Sequence, residues 1–273
     1  MTNADTSFVY DPSVESMTVH TLFDPVVTDR LTRDHLVRLA AGVAAVIRVR
    51  NFLPVDACAE IMANLERHKM GRYDFTPPMA KLGSAAYDHY KTGELGPEYF
   101  EQAEADVAAR RSLLAGADPL DLVLDKLAAA WGDAVVPATS QGRPLFAGII
   151  REINNGARLH FDEIARECPT ALDIPPVSQF AFNCHLAMPP TGGEAVVVRR
   201  RWRPSDEQHR DGYGYQAHLA DGEPTVAIRP EVGDAILFDP RNFHRVEPIS
   251  EGRRVSLSFF LGVTGAGPLI AWS

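Results

Sequence analysis

Cysteine is scarce in this chain. Cys58, Cys168 and Cys184 are the only three among 273 residues. They are odd in number, widely spaced and without a C-x-x-C pair, which argues against both a disulfide framework and a cysteine zinc site. Positive charge is also short. Lys and Arg number 27 against 36 Asp and Glu, a formal net charge of −9, so a surface built for nucleic acid is not expected. No apolar run approaches the roughly 20 residues that span a bilayer, and no membrane partner is expected. Residues Met1 to about Asp24 lack a basic stretch followed by an apolar one, so no secretory leader is read there. A reducing cytoplasm is the expected compartment. No internal repeat, low-complexity tract or linker is visible. Hydrophobic residues make up 45% of the chain, ample for a buried core. The expectation is a single domain over 1–273, in which 1–143 supports a core at 144–273.

The first half alternates helical and extended patterns. Ile47 and Val49 alternate with Arg48 and Arg50 as in a strand. Ala57, Ile61, Met62 and Leu65 then recur at helical spacing from Val55 to about His68. Further helices are expected at about Pro97 to Leu114 and Pro119 to Trp131, and Gly71 to Gly96 between them is expected to be a long loop. From about Pro144 the pattern changes to short strands: Leu145 to Ile153, Ala157 to Phe161, Ser178 to Ala187, Glu194 to Trp202, Thr225 to Arg229, Ala235 to Phe238, His244 to Glu247 and Arg253 to Gly262. Turns at Asn154-Asn155-Gly156, Thr191-Gly192-Gly193, Val232-Gly233-Asp234 and Ser250-Glu251-Gly252 separate them. Such strands predict a mainly β fold with flanking helices, a double-sheet jelly roll (cupin-like, double-stranded β-helix) or similar barrel.

His160-Phe161-Asp162 and His244 form an H-x-D…H set. Residues i and i+2 of a strand share a face, so His160 and Asp162 can enter a barrel together while Phe161 points away. Two neutral imidazoles and a carboxylate on one face of an octahedral Fe(II) leave three positions open, enough for a bidentate 2-oxo acid and O2. A structural metal site would close its shell instead. By itself H-x-D also fits two polar residues on a strand edge. Arg254 and Ser256 add to it, since they alternate on the last strand. A guanidinium grips a carboxylate through two parallel hydrogen bonds and a hydroxyl two residues on can add a third. That suits the distal carboxylate of 2-oxoglutarate. Arg253 faces the other way and reads as a surface charge.

The ordered pieces Ile150-Arg151…Gly156…His160-Phe161-Asp162, Gly192-Gly193-Glu194, Gly233-Asp234-Ala235-Ile236-Leu237-Phe238 and His244-Arg245-Val246…Gly252-Arg253-Arg254-Val255-Ser256 resemble the Fe(II)/2-oxoglutarate-dependent oxygenase superfamily. A closer likeness is to the branch that holds the freestanding aliphatic halogenases of welwitindolinone-type pathways and the dioxygenases of N-substituted amino acids. It rests on Val49-Arg50-Asn51-Phe52-Leu53-Pro54, the Gly-Gly-Glu turn with the Val-rich strand ending in Trp202, and Ala271-Trp272-Ser273. In those halogenases the carboxylate position is a glycine; here it is Asp162, which points to hydroxylation. The resemblance implies Fe(II) on His160, Asp162 and His244, with 2-oxoglutarate and O2 as cosubstrates and the far carboxylate of 2-oxoglutarate on Arg254 and Ser256. It implies hydroxylation of an unactivated C–H bond of a small molecule, an amino-acid derivative or natural-product intermediate, with release of succinate and CO2. Desaturation or oxidative cyclisation needs the same residues. A cupin-like isomerase or binding protein needs the metal ligands without the carboxylate clamp.

Other residues are weaker candidates. Asn183 shares a strand face with Ala181 and His185, and its amide can bond the cosubstrate carboxylate or the backbone. Arg151 faces either an acidic group in the cavity or solvent. His185 lacks a carboxylate companion and is expected to be a hydrogen-bonded barrel histidine. In Arg199-Arg200-Arg201-Trp202-Arg203 the arginines form a solvated sheet face, or one of them, Arg199 or Arg201, meets a substrate carboxylate or phosphate. Phe161 is a further candidate for substrate contact. His209 to Tyr215 resembles a mobile lid, and Phe75, Met79, Tyr87 and Tyr90 can cover an apolar substrate or pack the loop that carries them.

Overall fold

The computed structural model of the protein describes residues 22–73, 79–92, 95–265 and 267–273. Most of the segment read for a leader, along with Phe75 and the Tyr90 side chain, lies outside the described residues. No helix among the described residues is long and apolar enough to cross a membrane.

Two sheets face each other in a double-stranded β-helix. The larger runs in the order Asp24–Thr28, Ala44–Val49, Ala235–Phe238, Ser178–Ala187, Val255–Val263, Ile149–Glu152, Ala80–Leu82 and Gly71–Arg72, with Leu269–Trp272 also on Val255–Val263. The smaller runs Arg210–Asp211, Gly214–Tyr215, Ala157–His160, Asn242–Val246, Ala195–Arg201 and Thr225–Ile228. The Ser178–Ala187 strand shows how the layers form. Phe180, Phe182 and Cys184 join Leu36, Leu39, Ile61, Leu65, Val123 and Leu127 of the helices in the main core, while Ala181 belongs to a second cluster with Ile236, Phe238 and Val197. Burying each such large side chain stabilises the fold by about 2 kcal/mol. A strand covered on both faces reads as a continuous apolar run, as this one nearly does.

The helices begin and end where their sequences dictate. Asp118 accepts the Leu120 N–H and Pro119 occupies the first helical position, so Pro119–Trp131 starts there; Gly132, at φ +84°, ends it. Gly233 is required for a different reason. At φ +88° a Cβ on it would stand 2.5 Å from the Leu53 carbonyl oxygen, so this turn closes only with glycine.

Two expectations change. Gly71 to Gly96 is not a plain loop: Gly71–Arg72 and Ala80–Leu82 extend the larger sheet, with Lys81 paired to Arg151, and Ala86–Thr92 is a 3-10 helix. Short polar strands of two and three residues carry no alternating pattern to detect. Residues 1–143 also do more than support the barrel, since Asp24–Thr28, Ala44–Val49 and Ala80–Leu82 are strands of its larger sheet.

Candidate active site

His160 ends the Ala157–His160 strand, and the register of the smaller sheet sets it opposite His244. Their rings lie 4.1 Å apart between centroids. Asp162 follows as the chain leaves the strand, its N–H held by the Pro240 carbonyl at 2.9 Å. Its Oδ2 stands 3.3 Å from His244 Nε2 and 3.8 Å from His160 Nε2. One ligand atom from each of the three residues lies within 4.8 Å of the others. Each imidazole meets a carbonyl two residues back through Nδ1: His160 donates to Arg158 O at 2.7 Å and His244 to Asn242 O at 3.0 Å. A carbonyl only accepts, so Nδ1 carries the proton and the Nε2 lone pairs face Asp162, as ligation requires. Burial, with His244 beside it, pushes His160 down to about 4. Burial alone would raise Asp162, but His160, His244 and Arg151 hold it at about 2. At neutral pH His160 is therefore a neutral donor and Asp162 an anion.

These shifts fix a direction for stability against pH. His160 and His185 both lie below the ordinary 6.5, His185 well below it through burial and the Arg254 charge. Between pH 6.5 and 4.5 the unfolded chain therefore takes up two protons that the folded chain refuses. Glu167 works the other way with one proton, because burial and the Asp162 charge push its folded pKa up from 4.5 to about 8. Net proton uptake on unfolding means that the metal-free protein loses stability as pH falls through this window. Denaturant midpoints of chelator-treated protein at pH 6.5, 5.5 and 4.5 check this; a midpoint that held or rose on acidification would contradict it.

The larger sheet supplies the opposite wall. Arg254 is 2% exposed, yet it has no carboxylate in ion-pair contact among the described residues. Its Nε donates to Gly193 O at 2.9 Å and Nη2 meets His185 Nε2 at 3.3 Å, leaving Nη1 without a protein partner among them. Burial and the nearby Arg151 charge push it down to about 10. A buried guanidinium in want of an anion is costly unless a ligand supplies one. Asn183 lines the cavity; its Oδ1 accepts from Ser258 Oγ (2.9 Å) and Arg151 Nη2 (3.1 Å), and its amide nitrogen has no hydrogen bond among the described residues. One cavity is lined by His160, Asp162, His244, Asn183, Arg151 and Arg254 together. A divalent cation on the triad and a dicarboxylate reaching Arg254 fit these residues: imidazole nitrogens and a carboxylate for the one, a buried cation with no carboxylate in contact among the described residues for the other.

The remaining expectations divide. Ser256 is fully buried opposite His185 and Arg151, but its hydroxyl meets Ser258 Oγ at 2.9 Å and it is not among the residues lining that cavity. Its expected direct bond to the cosubstrate is replaced by a place behind Ser258 and Asn183. Arg253 pairs with Glu152 and Glu66, as a surface charge would. Arg199 and Arg201 do not reach either cavity of the site. Arg199 is exposed over the Phe23 ring and Arg201 is bound to Asp239, so neither is placed for the expected substrate contact. His185 is the hydrogen-bonded barrel histidine expected, with Nδ1 on Asp234 O at 3.4 Å. The His209–Tyr215 segment is not a free lid. Arg210–Asp211 and Gly214–Tyr215 form a hairpin on Leu159, and Tyr213 Oη accepts the Arg158 N–H at 2.7 Å.

A second cavity shares His160, Asp162 and Arg151 with the first and opens between Met79, Tyr87, Phe161 and Phe260. Tyr87, whose hydroxyl is pushed up to about 12 by burial, thus lines the site. Phe161 touches this cavity while its ring packs on Trp202, Tyr215 and Phe243. Glu167, Gln179, Arg210 and Tyr213 also line it and escaped the sequence reading. Glu167 sits on the four-residue helix Ile164–Glu167 and Arg210 in a two-residue strand, elements too short for any period to mark. Gln179 holds the Asp162 loop, donating to Asp162 O and accepting the Ile164 N–H.

The chain is 42% identical to the L-gamma-glutamyl-L-propargylglycine hydroxylase of Streptantibioticus cattleyicolor, over 93% of this chain and 97% of that protein. It belongs to the Fe(II)/2-oxoglutarate-dependent oxygenases. This oxygenase is also 33% identical to Leucinostatins biosynthesis cluster protein S of Purpureocillium lilacinum, over 67% of this chain and 76% of that one. In fold it is similar to an N-substituted L-amino acid dioxygenase from Burkholderia ambifaria AMMD, with a TM-score of 0.60 and 13% identity over 89% and 92% of the two chains. No protein-family model matches it. The His160, Asp162 and His244 set fits the iron, and the buried Arg254 the 2-oxoglutarate, that oxygenases of this family use.

Proposed function

We propose that this oxygenase hydroxylates a side-chain carbon of an amino-acid derivative of the γ-glutamyl amino acid kind. The observation that carries the chemistry is the single cavity walled by the His160, Asp162 and His244 set and by the buried Arg254, which has no carboxylate in contact among the described residues. In this reading His160, Asp162 and His244 hold the iron. Arg254, with the Asn183 amide beside it, takes the far carboxylate of 2-oxoglutarate, while Ser256 and Ser258 fix Asn183. Iron with its cosubstrates supplies the oxidant for an unactivated C–H bond. The protein's own work is placement: the second cavity sets the substrate next to His160 and Asp162, and its aromatic walls keep water away. Identity to a γ-glutamyl-propargylglycine hydroxylase along nearly the whole chain supports the substrate class. The resemblance to the branch with aliphatic halogenases and N-substituted amino-acid dioxygenases is consistent with a small amino-acid substrate, and Asp162 in the glycine position favours hydroxylation over halogenation.

The test is direct. Purified protein with Fe(II), 2-oxoglutarate and γ-L-glutamyl-L-propargylglycine under ¹⁸O2 is expected to give a product heavier by one labelled oxygen atom, with one succinate per product. Succinate release that no γ-glutamyl amino acid stimulates would refute the substrate class, and loss of two hydrogens in place of oxygen gain would refute hydroxylation of that substrate.

A further inference from the structure

The substrate cavity carries charges that the iron and 2-oxoglutarate do not use. Glu167 lines it and accepts a backbone N–H, from Glu163 at 2.8 Å, and no Lys, Arg or His among the described residues is in ion-pair contact with it. A carboxyl half-buried beside Asp162 is stabilised as its anion by a cation. Arg210 lines the same cavity near enough for its charge to act on Glu167. Its Nε and Nη2 are committed to Glu207 and the Tyr215 hydroxyl, and its Nη1 has no partner among the described residues. Arg151 borders the cavity too, with a buried Nε that lacks a hydrogen bond. The wall thus offers an acid that needs a cation to ionise and, on the half-exposed Arg210 already paired with Glu207, a guanidinium nitrogen open to a further acceptor.

We infer that Glu167 receives the substrate's ammonium group and Arg210 a carboxylate of the same molecule, so that the enzyme selects zwitterionic amino-acid ends over acylated or deaminated ones. The inference rests on the substrate class proposed above and adds the residues that read it. Glu167 is held by a backbone N–H from the loop that carries Asp162, and its position relative to the metal ligands is therefore set. An ammonium fixed there places the rest of the chain toward His160 and Asp162. The raised pKa of Glu167 accords with a carboxyl whose cation comes with the ligand.

The test is binding to the anaerobic Fe(II)·2-oxoglutarate holoenzyme, read as the shift of its charge-transfer band on adding peptide. The probes are γ-L-glutamyl-L-propargylglycine and its glutaryl counterpart, which lacks only the ammonium. Wild type is expected to bind the first about 10- to 100-fold more tightly, the value of a hydrogen bond to a charged group. In Glu167→Gln, which still accepts the Glu163 N–H, the preference is expected to fall within about threefold, and Glu167→Asp is expected to recover part of it. The band before peptide is added reports an intact centre; if Glu167→Gln lacks it, the comparison is made with Glu167→Asp, whose preference is then expected to fall below wild type. Equal binding of both peptides by wild type, or undiminished preference in the variant read, overturns the assignment and leaves the substrate class standing. Failure of wild type to bind either peptide overturns the substrate class and the assignment with it.

Discussion

Asp162→Ala is expected to abolish hydroxylation and to cost the protein its iron. Asp162 is the one anion of the set, held ionised at about 2 against the cost of burial. Its removal leaves two neutral imidazoles to retain a dication. Loss of a mere outer partner of a metal ligand costs roughly 10- to 100-fold in affinity or activity, and loss of a ligand is expected to exceed that. The fold has little stake in the side chain, since the Asp162 backbone, not its carboxylate, is what Pro240 and Gln179 hold. The variant is therefore expected to fold and fail. Iron content after anaerobic reconstitution and desalting, together with succinate release, checks both halves. Turnover equal to wild type would remove Asp162 from the metal shell.

Arg254→Ala is expected to raise the KM for 2-oxoglutarate by roughly 150- to 5000-fold, the equivalent of the 3–5 kcal/mol that stripping a buried charge of its partner costs. The effect is large because the carboxylate would lie in a pocket that water does not reach: Arg254 is buried, and its nearest protein neighbours are the Gly193 carbonyl and the neutral His185 ring. The matched control is Arg253→Ala. Its guanidinium is a third exposed and pairs with Glu152 and Glu66 on the outside, and pairs of that kind contribute little. Its KM for 2-oxoglutarate is expected to stay within about twofold of wild type. Titration of the charge-transfer band with 2-oxoglutarate measures both variants. An unchanged KM in Arg254→Ala would move the role to Arg151, which borders the same cavity.

The metal set was legible because its rule is local. An i, i+2 pair on a strand shares a face whatever the rest of the fold does, and His160 and Asp162 needed only His244 to come alongside. Arg254 was legible for the same reason. Ser256 shares its face, yet its hydroxyl is committed to Ser258, and that follows from Asn183 on the neighbouring strand, 75 residues from Ser258 in sequence. Arg199 and Arg201 failed in a similar way. Alternation put them on one face, but whether that face looks into the barrel depends on Phe23 and Asp239, which only folding brings there. Glu167 and Arg210 gave no signal because they lie on a single helical turn and a two-residue strand.

By itself the sequence determined the H-x-D…H set, the arginine two residues before Ser256, the run of short strands and the jelly roll that they imply. These rest on periodicities that each segment carries within itself. The tertiary structure alone decided what each charge is paired with. It left Arg254 buried with no carboxylate in contact among the described residues, gave Arg253, Arg199 and Arg201 partners away from the cavity, and turned Glu167 and Arg210 toward the site of the opening set. Pairing is a property of distance in space, and burial sets how much an unpaired charge costs; neither is written in the order of residues along the chain.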